Sequence, residues 1–220
     1  MNRCIEKDER YERILKVVKI IYLLIGVGLT VQGWLTHNPY RFLVAGGTLL
    51  VVPVMNFLRK ALHIHGGYQL ETMLYLFTFL GWTLGGAAEV YGLLPGFDKA
   101  VHCLSGVFVA EMAMAFYRFL ERRHSKEGEN PATACFFVFF TSMAVAGLFE
   151  ICEFTLAPLM GRDLQHVMDT GVGDTMWDMI VCLIGTLVVV GLMIRTAKGK
   201  HDFFTDAVDA FVLQNPPKES

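Results

Sequence analysis

From Glu150 to Asp178 the chain reads Glu150-Ile-Cys-Glu153, then Met160-Gly-Arg162-Asp163, then Asp169-Thr-Gly-Val-Gly-Asp174-Thr-Met-Trp-Asp178, with a long apolar run on either side. A carboxylate at the centre of a helix in the hydrocarbon core costs roughly 2.5–3.5 kcal/mol on insertion scales, so such acids come with a partner and often with a function. The stretch decides the fold class: an all-α, polytopic membrane helix bundle that holds its acids close to one surface.

The remainder of the chain fits this reading. Hydrophobic residues make up 54% of the 220, and the mean hydropathy is +0.44. Apolar segments recur along almost the whole length, which indicates one membrane domain and no separate soluble one. The formal net charge is only −2, and Lys and Arg stand beside apolar segments instead of forming a stripe, which argues against nucleic acid as a partner. Cys4, Cys103, Cys135, Cys152 and Cys182 show no paired spacing and read as buried free thiols. The first apolar run, Ile14 to Leu35, is too long for a signal-peptide core and is expected to remain as a span.

Spans are expected at 14–35, 41–58, 70–94, 98–119, 132–157 and 174–195, each near the roughly 20 residues that cross a bilayer. The chain thus divides into a charged segment (1–13), read as a solvated helical lead-in, a six-helix domain (14–195) and an amphipathic tail (196–220). Lys and Arg gather at the N-terminus, in the second loop (Arg59, Lys60), in the fourth (Arg118, Arg122, Arg123, Lys126) and after the last span (Arg195, Lys198, Lys200), which puts both termini in the cytoplasm. Asn130-Pro131 offers a capping side chain and a first-turn proline for the fifth span, and Pro95-Gly96 a tight turn between the third and fourth. In the tail, Phe203, Phe204, Val208, Phe211 and Val212 share a helix face that is expected to lie on the cytoplasmic membrane surface.

On this topology the ionisable residues reach one depth. Glu89 stands near the outer end of the third span, Asp98 and His102 in the first turns of the fourth, Glu150 and Glu153 in the outer third of the fifth, and Asp174 and Asp178 at the start of the sixth. Spacings of three and four put Asp98 with His102, Glu150 with Glu153, and Asp174 with Asp178 on single helix faces. Gly106 and Gly185 follow on nearly the same faces as His102 and Asp178 and would let neighbouring helices approach closely. Paired acids with an imidazole, contributed by several helices, suit a divalent metal ion, with Mg, Mn, Ca and Zn all open. Plainer readings compete: Asp98 and Asp174 as helix caps, and Glu150 and Glu153 as ion-pair partners of Arg162 and Lys99.

The outer loop from Pro158 to Gly173 is a candidate lid, in which Arg162 would hold an anionic group. Asp163 and His166 read as solvated there, whereas Asp169 is expected to reach inward. Glu111, deeper in the fourth span, faces elsewhere and has no partner visible in the sequence. His63-Ile-His65 reads as a solvated cytoplasmic loop.

Asp98-Lys99-x-x-His102, Glu150-x-x-Glu153, Gly161-Arg162 and Asp174-Thr-x-x-Asp178 followed by Gly185 resemble the YjdF-type bacterial membrane family over residues 70–195. More distantly they are similar to the VanZ-like proteins, named for a glycopeptide-resistance phenotype. In the VanZ-like pattern Glu153 would be Gln and Asp178 would be Asn, so two amides have become acids here, which favours a cation. The resemblance implies a multi-pass protein of the bacterial cytoplasmic membrane and fixes a site more than a reaction.

The leading expectation is an outward-facing, acid-lined, metal-binding cavity of a hydrolase or transferase that acts on an envelope lipid or lipid-linked phosphate. Glu150, Glu153, Asp174 and Asp178 would hold the metal and His102, oriented by Asp98, would be general acid or base. Arg162, Glu89 and Asp169 would contact substrate. The alternatives are a proton- or cation-coupled transporter and a non-catalytic envelope-stress or resistance protein with a structural acid cluster.

Overall fold

The computed structural model describes residues 2–124, 130–165 and 167–216, so Lys126 and His166 lie outside the described residues. Among the described residues there are helices and turns and no strand. Five helical stretches are long and apolar enough to cross a membrane: Arg3–Leu35, Pro39–Ala61, Phe97–Glu121, Pro131–Met160 and Gly173–Ala197. The surface is inverted relative to a water-soluble protein. Leu24, Trp34, Phe57, Phe136, Phe154 and Leu159 are exposed, while Asp8, Glu71, His102, Glu111, Glu150 and Asp178 are buried. That pattern suits a solvent of lipid tails, which rewards no burial of leucine and penalises any exposed charge.

The chain forms two compact units, residues 1–97 with 206–220, and residues 98–205. In the first, α1 (Asn2–Leu35) runs unbroken from the charged lead-in into the first span, because its Glu, Lys and Arg are good helix formers. The lead-in is more than a solvated extension. Asp8 is buried, accepting the backbone N–H of Gln69 at 2.8 Å and the Gln214 side-chain amide at 2.9 Å.

Asn38 caps α2 (Pro39–Leu49) by accepting the Arg41 N–H at 3.0 Å, and Pro39 fills its first turn. α3 (Val51–Ala61) follows after Leu50. The break lies where Pro53 has no N–H to offer the Leu49 carbonyl.

The third expected span, 70–94, is not one α-helix. α4 (Tyr68–Thr78) widens into a π-helix (Phe79–Ala87), the chain turns at Glu89 with a left-handed φ of 61°, and α5 (Val90–Leu93) is a single turn. Gly81, Gly85 and Gly86 lie within the π segment, where Cβ atoms are dispensable and the ladder is loosest. The core here is Leu15, Tyr22 and Tyr75, the two rings edge to face at 5.3 Å. Glu71 is buried between Lys19 at 2.6 Å and Arg59 at 2.9 Å.

The amphipathic tail helix, α10, spans Phe203–Gln214. Its Val208 and Val212 are buried in the protein, Phe211 packs on Gly67, and Asn215 exchanges hydrogen bonds with the backbone of His65 at 2.8 and 2.7 Å. The expected membrane-surface face is therefore a docking face.

The second unit is built on α6 (Phe97–His124), α7 (Pro131–Met160) and α9 (Gly173–Ala197), with the one-turn α8 (Val167–Thr170) in the loop between α7 and α9. Gly96 at φ 79° makes the turn into α6, as the Pro95-Gly96 pair predicts. Asn130 caps α7 as its position predicts, accepting the amides of Ala132 at 3.0 Å and Thr133 at 3.2 Å. Gly106 and Gly185 are a reciprocal contact: a Cβ on Gly106 would fall on the Cys182 carbonyl, and one on Gly185 on the Cys103 carbonyl. α6 and α9 therefore touch backbone to backbone. Ser142 of α7 closes the trio, bonding the Thr186 hydroxyl at 2.8 Å and the Gly106 carbonyl at 3.3 Å.

Candidate functional site

The glycine crossing brings the first turns of α6 and α9 side by side. Lys99 stands at the centre of what meets there. Its ammonium donates to Asp98 Oδ2 at 3.0 Å, to Asp174 Oδ1, and to both oxygens of Asp178 at 2.8 and 2.9 Å. Asp98 and Asp174 are thus not caps. Val172 occupies the capping position of α9, and Asp98 turns its other oxygen to His102 Nε2, 3.4 Å away.

His102 Nε2 is also 3.8 Å from Asp178 Oδ1, and Phe149 packs edge-on against the imidazole at 5.8 Å. One donor atom from each of Asp98, His102 and Asp178 lies within 4.8 Å of the others, a grouping able to hold a metal ion. On the far side of the ring, the Cys182 thiol lies 4.0 Å from Nδ1, donates to the His102 carbonyl at 3.1 Å and meets the Ser105 hydroxyl at 3.2 Å. The thiol thus backs the Nδ1 edge of the ring inside the tight α6–α9 crossing.

Glu150 on α7 is 7% exposed and receives the Gln165 side-chain amide at 3.1 Å on its carboxylate and 3.2 Å on its carbonyl. The loop between α7 and α9 therefore folds back onto α7 through Gln165. Glu153, one turn further, is half-buried and within electrostatic reach of Glu150, His102, Asp98 and Asp178. Around Lys99 and His102 the unit thus collects Asp98, Asp174, Asp178, Glu150 and Glu153. Even with His102 protonated, carboxylates outnumber cations, and in low dielectric such an excess calls for a bound cation or for protons.

Arg162 is exposed just after Gly161 ends α7, and Asp169, expected to reach inward, is exposed on α8. Glu89 belongs to the first unit, where Arg41 holds it at 2.8 Å while also donating to the Ala87 carbonyl at 2.9 Å. Asp163 is not merely solvated, since its two oxygens accept the Val167 and Met168 amides at 2.9 Å each and start α8.

Lys99 was expected only as a competing partner of Glu150 and Glu153 and instead holds Asp98, Asp174 and Asp178, whereas Gln165 and Cys182 had no expected role in the cluster. Signals existed for two of the three: a lysine in the first turn of an apolar helix needs several acceptors, and Cys182 follows Asp178 by four, on the same face. Gln165 carried no such signal.

The family described as "Predicted membrane protein (DUF2238)" matches residues 17–199. No curated protein and no solved structure matches the chain.

Proposed function

The chain belongs to this DUF2238 family of predicted membrane proteins, the YjdF-type family, and on that premise we propose that its second unit carries a divalent-cation site serving hydrolysis or group transfer on a phosphate-bearing lipid or lipid-linked substrate. Its setting would be the bacterial cytoplasmic membrane. The observation that carries the reading is the convergence of Asp98, His102 and Asp178 in a cluster whose carboxylates exceed its cations.

The donor set fits such an ion. One imidazole and two carboxylates suit Zn or Mn, and with more oxygen donors Mg or Ca. Lys99, donating to Asp98 Oδ2 and to both oxygens of Asp178, would orient these carboxylates as hydrogen-bond partners of metal ligands commonly do, and a bound ion would compete with it for Asp178 Oδ1. When bound, a divalent cation polarises a phosphoryl or ester oxygen or acidifies water.

The chain's own residues have distinct parts in this reading. His102 turns Nε2 to the carboxylates and its Nδ1 edge to Cys182, which makes it a ligand in preference to a free acid or base. The half-buried Glu153, near the cluster, is then the group suited to moving a proton. Asp174 holds Lys99, Gln165 holds Glu150 beneath the outer loop, and Arg162 offers a cation to an arriving phosphate.

The test is elemental mass spectrometry of the protein purified in detergent without chelator, beside Asp178→Asn and Glu153→Gln. One tightly held divalent ion in the wild type, lost in Asp178→Asn and retained in Glu153→Gln, is the expected result. A metal-free wild type sinks the reading.

A second reading, proton- or cation-coupled transport, is favoured by the position of Lys99 itself. An internal ammonium clasped by three aspartates is a cation that a transported ion or proton would displace.

A further inference from the structure

Away from the acid cluster, the start of α7 and the end of α9 enclose a trough of about 590 Å³. On α9 its first residue, Val190, lies roughly 18 Å along the helix from Asp178 at 1.5 Å per residue. Phe136, Phe139 and Phe140 wall it from α7, and Val190 and Ile194 from α9. The rings of Phe136 and Phe140 stack at 6.3 Å, and both are exposed, as is Ile194, so the trough opens on the surface that faces lipid tails. Its volume falls within the roughly 300–1,000 Å³ of small-molecule sites. An apolar trough in that position takes an acyl chain, but by itself selects no particular lipid.

The selecting groups lie at its end. Among the described residues Lys198 is the one charged side chain in the trough lining. A second pocket, of about 150 Å³, shares Pro131, Cys135 and Ala197 with the trough and adds Arg118 from α6 with Thr196 and Met193 from α9. The two linings thus hold two cations and, among the described residues, no acid. Asp202, to which the Thr196 hydroxyl donates at 3.3 Å, is engaged by the amides of Phe204 and Thr205 at 2.9 and 3.0 Å and by the Thr205 hydroxyl at 3.0 Å. Lysine and arginine are the side chains that bind phosphate, as a point charge and as a planar fork. On the orientation given by the Lys and Arg distribution, this end meets the cytoplasmic leaflet, where basic pockets between spans receive anionic headgroups.

We propose that the trough and the adjoining pocket bind one anionic phospholipid, an acyl chain lying between α7 and α9 and the headgroup phosphate held by Lys198 and Arg118. A zwitterionic lipid brings the same phosphate together with a cation that Lys198 and Arg118 repel, so the site selects net negative charge. The lipid is bound whole, with no bond made or broken. The site shares no residue with the Asp98–His102–Asp178 cluster, and the inference is independent of the metal reading.

Native mass spectrometry of the protein released from detergent, after titration with phosphatidylglycerol or with phosphatidylcholine of the same acyl chains, tests it. The wild type is expected to retain one phosphatidylglycerol at concentrations where phosphatidylcholine is lost. Lys198→Gln and Arg118→Gln are each expected to bind it about fivefold more weakly, the worth of one basic residue against an anionic lipid. Ile194→Trp, which fills the trough and leaves both cations, is expected to lose it, and all three variants to keep the wild-type metal content. Equal retention of the two lipids overturns the proposal, as does a wild type that appears as a lipid-free dimer. Lys198 is exposed just past the end of α9, so Lys198→Gln decides even if Arg118→Gln does not fold: an affinity equal to that of the wild type overturns the site.

Discussion

At the scale of single residues, Lys99 carries the energetics of the cluster. Its ammonium meets three aspartates, of which Asp178 is 3% exposed, so removing it strands negative charge in low dielectric. Deleting one partner of a buried pair costs about 3–5 kcal/mol, and the lower figure applies here because the lysine side chain is 30% exposed. Lys99→Met is therefore expected to lose about 3 kcal/mol in denaturant unfolding in detergent; unchanged stability would show that the aspartates are neutralised by something else. Lys99→Arg is expected to recover only part of that loss, since a planar fork cannot reproduce a point charge among three acids. The spacing of the sequence anticipated the Asp98–His102 and Asp174–Asp178 pairs correctly. It assigned Lys99 to Glu150 and Glu153 as a competing partner, because spacing reports which residues share a face and not which faces meet.

Among the elements, the α6–α9 crossing governs the site. Gly106 and Gly185 leave no room for a methyl group against the facing backbone carbonyls. Gly106→Ala and Gly185→Ala are each expected to destabilise by about 1–3 kcal/mol through overpacking, read as a lower thermal midpoint. They should also weaken the cluster, since separating the helices separates Lys99 from Asp178. The two substitutions press on one interface, so the double variant is expected to depart from additivity. Asn130→Ala should cost about 1 kcal/mol through the lost cap of α7 and leave metal content unchanged, which separates a helix-end effect from a site effect. Both glycines and the Asn130-Pro131 start were legible, because each is a local signal. The division of the third span into α4, a π-helix and a single turn was not, since apolar glycine-rich sequence reads equally as α-helix when its ladder is unseen.

For the whole molecule, apolar side chains face out and ionisable ones lie within, as a multi-pass membrane protein requires. The distribution of Lys and Arg predicts that tags at both termini are shielded from protease added to intact cells and cut after permeabilisation; cleavage in intact cells would reverse the assigned orientation. Hydropathy, helix spacing and capping residues are properties of neighbouring positions, and from them alone follow the all-α membrane class, most span boundaries and which acids share a helix face. The pairing of Lys99 with Asp98, Asp174 and Asp178, the cover of Gln165 over Glu150, the burial of Asp8 and the docking of α10 are decided only by the tertiary structure. Each depends on how far one helix is rotated against another, and that rotation is set by backbone contacts such as Gly106 on Cys182, between residues far apart in the chain.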